Sequence, residues 1–241
     1  MSQAVKDQRI QNAISLFTSG QIKECLKATS KLTELYPNEP FIYNLLGVAN
    51  AAEHQFEKAV AFYKKAIELA PQYVEVLNNM GVAYNDWKKS DLAVKTLQQA
   101  IDLNPNYAEA YNNRGNAWRA LSDLKSAIKD YQKAIEINPN YLDALSNLGI
   151  SLSENRDYIN AQNIYKKALR LDPGNDELEL QYANTLLRLE RYLEAEKFFK
   201  KLIQLNPDNA RAHNGLGLTY LTKKEINFAK TSFKTAIEIK G

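Results

Sequence analysis

A chain of 241 residues, 45% hydrophobic and 24% charged, has the composition of a folded globular protein and not of a disordered or membrane-spanning one. Its formal charge of +3 is too small to argue for nucleic acid, and its single cysteine, Cys25, excludes an internal disulfide framework and a cysteine-based metal site. No run approaches the roughly eighteen apolar residues of a membrane span, and the opening residues lack the apolar stretch of a secretory signal. A cytoplasmic protein with no membrane partner is therefore expected.

Six of the seven prolines recur every 34 residues: Pro37, Pro71, Pro105, Pro139, Pro173 and Pro207. Gly47, Gly81, Gly115, Gly149 and Gly217 keep the same interval, with Ala183 at the one interruption. Self-similarity at a fixed period marks a repeat array. Counting each proline as position 32 of a repeat organises residues 1–241 as one domain. A short leader is followed by repeats at 6–39, 40–73, 74–107, 108–141, 142–175, 176–209 and 210–241.

In chain order, repeat 1 opens with the stripe Ile10, Ala13, Ile14, Phe17, whose spacings are helical. Repeats 2 to 6 are complete and in phase. Repeat 4 shows their pattern: Tyr111, Arg114, Gly115 and Trp118 form one stripe, and Ala127, Tyr131 and Ala134 a second. Polar punctuation such as Ser122-Asp123 separates the two, and Asn138-Pro139-Asn140 ends the repeat, because Pro139 lacks an N–H and disfavours helix at Asn138. Repeat 7 stops at Ile239-Lys240-Gly241 without its proline. Each repeat therefore predicts two helices, A then B, giving fourteen helices in seven antiparallel pairs and no strand. Small residues recur at position 8 (the glycines) and position 20 (Ala59, Ala93, Ala127, Ala161, Ala195, Ala229), and they are expected to let paired helices approach closely.

The 34-residue unit, with phrases such as Asn113-Arg114-Gly115-Asn116-Ala117-Trp118 and Ala134-Ile135-Glu136-Ile137-Asn138-Pro139, resembles the tetratricopeptide (TPR) repeat over residues 6–241. The resemblance implies an all-α, right-handed superhelical solenoid with a concave face lined mainly by A helices. It also implies a protein–protein interaction scaffold and not an enzyme. Repeat 1 departs from the family pattern, with Arg9 and Asn12 at apolar positions and Cys25 and Thr29 in place of alanine and an aromatic ring; such a repeat reads as a cap. No polar capping helix follows Phe228, Phe233 and Ile237, so the C-terminal edge is expected either to self-associate or to continue into further sequence.

Catalytic and metal chemistry find little support, and no cofactor or metal is expected. His54 falls in a turn between A and B, and His213 takes the position-4 slot of Tyr43, Leu77, Tyr111 and Leu145, so it reads as a packed ring. Gly215-Leu216-Gly217 follows no strand and is no dinucleotide fingerprint. Cys25 reads as a small buried hydrophobe. Lysine pairs such as Lys64-Lys65 and Lys166-Lys167 lie on outward B-helix faces, where Glu68 and Glu238 offer i,i+4 partners to Lys64 and Lys234.

One charge reads as buried. Arg114 stands at position 7, where other repeats have Leu46, Met80, Leu148 and Leu216, and repeat 4 alone is acidic at position 23, with Asp130. A buried guanidinium needs a partner, so an ion pair between the two helices is expected. The concave positions that the resemblance implies are rich in asparagine, with Asn78 and Asn79, then Asn112, Asn113, Asn116 and Arg119, then Asn147 and Asn184. An amide both donates and accepts, matching a peptide backbone. The column Asn79, Asn113, Asn147 therefore suggests contact with a polypeptide ligand, or alternatively a role in ordering helices, and these amides are expected to face solvent when the groove is empty. Acidic Glu75, Glu109 and Asp143 would favour basic ligands. The carboxylate clamp of chaperone-binding arrays is absent, because Glu177 and Gln181 stand where cations are needed. An alternative reading makes the chain the N-terminal, substrate-recruiting part of a sulfo-, glycosyl- or methyltransferase.

Overall fold

The computed structural model describes residues 3–240, and among them fourteen helices and no strand are found. The A helices are α1 (Gln3–Thr18), α3 (Pro40–Ala52), α5 (Val74–Asp86), α7 (Ala108–Ala120), α9 (Leu142–Glu154), α11 (Asp176–Arg188) and α13 (Ala210–Thr222). The B helices are α2 (Ile22–Leu35), α4 (Phe56–Leu69), α6 (Ser90–Leu103), α8 (Leu124–Ile137), α10 (Tyr158–Leu171), α12 (Tyr192–Leu205) and α14 (Ile226–Lys240). Each repeat thus supplies one helix pair. Contacts divide the chain after Ile137 into two compact halves, α1 to α8 and α9 to α14.

Within each half, every A helix packs on its own B helix, and each B helix packs on the following A helix. A helices also touch one another, as α3 does α5 and α5 does α7 in the first half, and α11 does α9 and α13 in the second. No two B helices come into comparable contact among the described residues. The A helices therefore crowd to the inside of each half and the B helices splay outward. Alanines at position 20 are fully or almost fully buried at these seams.

The position-8 glycines have a more specific role than close backbone approach. A Cβ on Gly47 would lie 2.4 Å from the ring of Tyr63, and one on Gly115 would lie 2.6 Å from Tyr131. Each glycine leaves space for the position-24 side chain of its own repeat. Repeat 1 confirms the coupling from the other direction, because small Thr29 at position 24 accompanies Ala13 at position 8. Repeat 6 has Ala183 at position 8 yet keeps Phe199, and the ring is accommodated instead by Gly215 of the next repeat, whose Cβ would sit 2.4 Å from it.

Every A helix ends the same way. The residue at position 15 adopts a left-handed conformation: Gly20 at φ 76°, then His54, Lys88, Ser122, Arg156, Glu190 and Lys224 at φ between 56° and 65°. The following N–H reaches back to the helix, as Gln55 does to the Asn50 carbonyl (2.8 Å) and Asp123 to that of Trp118 (2.9 Å). This Schellman closure satisfies carbonyls that would otherwise be orphaned. Six of the seven repeats make it without glycine, at a steric cost of about 1 kcal/mol each.

Candidate functional site: the A-helix faces

The inward side of the first half is built from interlocked amides. Asn79 donates through Nδ2 to Asn44 Oδ1 at 3.1 Å, and Asn113 donates to Asn78 Oδ1 at 2.9 Å. Position 5 of one repeat therefore accepts from position 6 of the next. The acceptors Asn44 and Asn78 are buried, as is Asn112, whereas Asn79 and Asn113 are half-buried. The expectation that this column faces solvent is corrected for two of its three members: Asn79 and Asn113 each commit one donor to the preceding repeat, since a buried carbonyl must find a partner. Asn116 is likewise engaged, its Oδ1 accepting from the Tyr131 hydroxyl at 2.8 Å. Arg119 and Asn116 are half-buried, and Glu75, Asp86 and Glu109 are exposed on the same helices.

On the second half, Asn147 and Asn184 are half-buried. A cleft of about 350 Å³ opens between α9 and α11, lined by Ile150, Ser153 and Glu154 on one side and Gln181, Asn184 and Arg188 on the other. The Ser153 Oγ has no hydrogen-bond partner there. At the edge of this face Glu177 accepts from Arg211 at 2.6 Å and from Gln181 at 2.8 Å, so this carboxylate is neutralised within the protein.

Arg114 and Asp130 form a bidentate pair, with Nε and Nη2 each 2.7 Å from a carboxylate oxygen. The side chains are 13% and 6% exposed, so the charges are largely removed from water. A third partner was not legible in the sequence: Arg114 Nη1 also donates to Gln98 Oε1 of the preceding repeat. Lysine occupies the same position as Gln98 in repeats 2, 5, 6 and 7 and would repel the guanidinium. The ring of Tyr111 lies 5.4 Å from the guanidinium carbon.

Two further charge clusters lie outside the sequence reading. Glu179 is buried in the position-4 slot, paired with Lys201, while its Oε2 has no partner. Its signal was an acid where other repeats have Tyr43, Leu77, Tyr111, Leu145 or His213. Glu196 accepts from Lys200 at 2.7 Å and Lys223 at 2.9 Å, joining α12 to the end of α13, and Lys223 also reaches Glu225 at 2.8 Å. Hydrogen bonds from Lys200 and then Lys223 hold the Glu196 carboxyl below the usual range.

His54 is the exposed left-handed residue at the end of α3, and His213 is half-buried with Nε2 2.9 Å from the Pro207 carbonyl. Tyr43 makes the equivalent contact, donating to the Pro37 carbonyl at 3.0 Å. Cys25 is buried, its Sγ 3.7 Å from Thr29 Oγ1, so the two B-helix departures of repeat 1 touch. Among the described residues no group of three or more His, Cys, Asp or Glu is placed to hold a metal ion, and no helix is long and apolar enough to cross a membrane. On the B faces Lys234 lies 3.7 Å from Glu238, whereas Glu68 pairs with Lys65 at 2.9 Å instead of Lys64. Phe228 and Ile237 of α14 are exposed, and Gly241 lies outside the described residues.

Helix pairs in register, left-handed A-helix ends and amide rungs between repeats define an all-α repeat protein of the helix–turn–helix class. The chain belongs to the tetratricopeptide repeat family. Models of that repeat match residues 52–86 and 88–121, 108–141, 130–163, 152–218 and 210–241. Among solved structures it is similar to YrrB, described as a TPR protein with an unusual peptide-binding site, at 23% identity and a TM-score of 0.65, covering 73% of this chain and 91% of that one. It is also similar to pilF of Pseudomonas aeruginosa (20% identity, TM-score 0.74, 86% of this chain and 94% of that one). A tetratricopeptide repeat protein of Parabacteroides merdae matches at 18% identity and a TM-score of 0.69, over 97% and 93% of the two chains. No curated protein matches the sequence at a comparable level.

Proposed function

We propose that this chain is an interaction scaffold that holds a polypeptide segment against its A-helix faces. Asn79, Asn113, Asn116 and Arg119 would serve the first half, and Asn147 and Asn184 the second, with Asn78 and Asn112 acting from behind as anchors. The observation that carries the reading is the amide rung. Asn79 spends one N–H on Asn44, which fixes its rotamer and leaves its Oδ1 and second N–H for a ligand. Side chains already ordered before binding lose less entropy on contact, so a modest set of hydrogen bonds can support useful affinity. Similarity to a protein described as having a peptide-binding site supports the same class of partner.

The test uses a peptide selected from a random display library on the whole chain. Changing Asn79, Asn113 and Asn147 together to Ala should weaken its binding by roughly 1.5–4.5 kcal/mol, at about 0.5–1.5 kcal/mol per hydrogen bond. Asn44 and Asn78 also lose their donors in this variant, so its melting temperature is measured alongside. Unchanged affinity in a folded variant would move the ligand off this column.

A further inference from the structure

The B helices are not alike in charge. Positions 18, 22, 25 and 29 are spaced to share one exposed helix face. In repeat 2 this stripe reads Glu57, Ala61, Lys64, Glu68, and in repeat 3 it reads Asp91, Lys95, Gln98, Asp102, so each begins and ends with an acid. Repeats 5 and 6 have lost both acids. Their stripes read Ile159, Asn163, Lys166, Arg170 on α10, and Leu193, Lys197, Lys200, Gln204 on α12. All eight of these residues are exposed, Ile159 and Leu193 at 67% and 69%. Lys166, Arg170 and Lys197 make no ion pair among the described residues, while Lys200 is shared with Glu196 at 2.7 Å.

An exposed aliphatic side chain followed along the same face by two cations, repeated on two helices of one half, is a poor arrangement for water. It suits a surface that is anionic outside and apolar within. We propose that the outward face of α10 and α12 docks peripherally on an anionic lipid bilayer. Lys166, Arg170, Lys197 and Lys200 would meet headgroup phosphates or carboxylates, and Ile159 and Leu193 would enter the acyl boundary. Among the described residues no helix is long and apolar enough to cross a membrane, and peripheral contact of this kind needs none. Nucleic acid would use the cations and leave Ile159 and Leu193 exposed. This face lies on the B helices, so the inference does not depend on the polypeptide groove.

The experiment is co-sedimentation of the whole chain with vesicles of mixed phosphatidylserine and phosphatidylcholine, and with phosphatidylcholine alone. Binding to the anionic vesicles only, weakening as salt is raised, is expected. Each cation near such a surface is worth about fivefold in partitioning, so Lys166→Gln, Arg170→Gln and Lys197→Gln together should lower it by roughly 100-fold. Ile159→Ser with Leu193→Ser should lower it further at unchanged charge. Changing Lys64, Lys95 and Lys129 of the first half to Gln should leave it unaltered. The proposal is overturned by an absence of sedimentation at low salt or by equal loss in the first-half variant. Binding indifferent to Ile159 and Leu193 would also overturn it and would assign the cations to a polyanion such as nucleic acid or an acidic polypeptide.

Discussion

Phe199 offers a direct test of how the repeats are fitted together. In four other repeats a position-8 glycine makes room for a position-24 ring, but in repeat 6 position 8 is Ala183 and the ring is accommodated by Gly215 of the next repeat. A Cβ added at Gly215 would lie 2.4 Å from two carbons of the ring, about 1 Å inside ordinary contact, and Phe199 is fully buried. Overpacking of this kind costs about 1–3 kcal/mol. Replacing glycine by alanine in a helix returns about 1 kcal/mol. Gly215→Ala alone should therefore destabilise by about 0–2 kcal/mol. With Ala183→Gly already in place, the ring regains the space it has in other repeats, and the same change should become neutral or stabilising. The double-mutant cycle should show a coupling of about 1–3 kcal/mol, measured by urea melts, with amide exchange in α12 and α13 to localise the change, since repeat arrays need not unfold as one unit. Additivity within about 0.5 kcal/mol would show that Ala183 and Gly215 do not share this ring.

Three other outcomes are expected. Asp130→Ala should cost about 3–5 kcal/mol by stranding the Arg114 charge, whereas Arg114→Leu with Asp130→Ile, the combination that repeat 5 carries as Leu148 and Ile164, should restore most of that in a thermal melt; equal loss in both variants would argue against a charge penalty. Lys88→Gly should raise the urea midpoint by the equivalent of about 0.5–1 kcal/mol, because glycine adopts the left-handed conformation without the Cβ clash, and Gly20→Ala should lower it by a similar amount. Glu196 has a folded pKa below its unfolded value, so its contribution is present above the unfolded pKa and lost as pH falls through the folded one; Glu196→Gln should be less stable than the parent at neutral pH, and the gap should close in acid.

Much of this architecture was legible because the phase of prolines and glycines does not depend on tertiary context. The Arg114–Asp130 pair could be found because two exceptions fell in one repeat. The position-15 turns were hidden, since six of them use residues that ordinarily avoid a left-handed backbone, and only the surrounding helix pair imposes it. Amide rungs were hidden for a different reason. Asn78 and Asn113 are 35 residues apart, and only the stacking of α5 on α7 brings them into hydrogen-bond range. The same asparagines read as ligand contacts or as helix-ordering groups in the sequence, and the rungs give Asn79 and Asn113 an ordering contact with the preceding repeat. Gln98 escaped notice because its significance lies in not being the lysine found at its position in four other repeats. Glu179 escaped because the position-4 slot tolerates tyrosine, leucine and histidine, so an acid there broke no strict pattern.

The central claim is that a polypeptide is held on the A-helix faces. Hydrogen exchange on the whole chain, with and without a peptide selected from a random display library, measures this most directly. Slowed exchange on ligand addition is expected in α5 and α7, in α9 and α11, or in both sets, with the B helices unchanged. Protection confined to B helices such as α10 and α12, with the A helices exchanging as in the free protein, would contradict it.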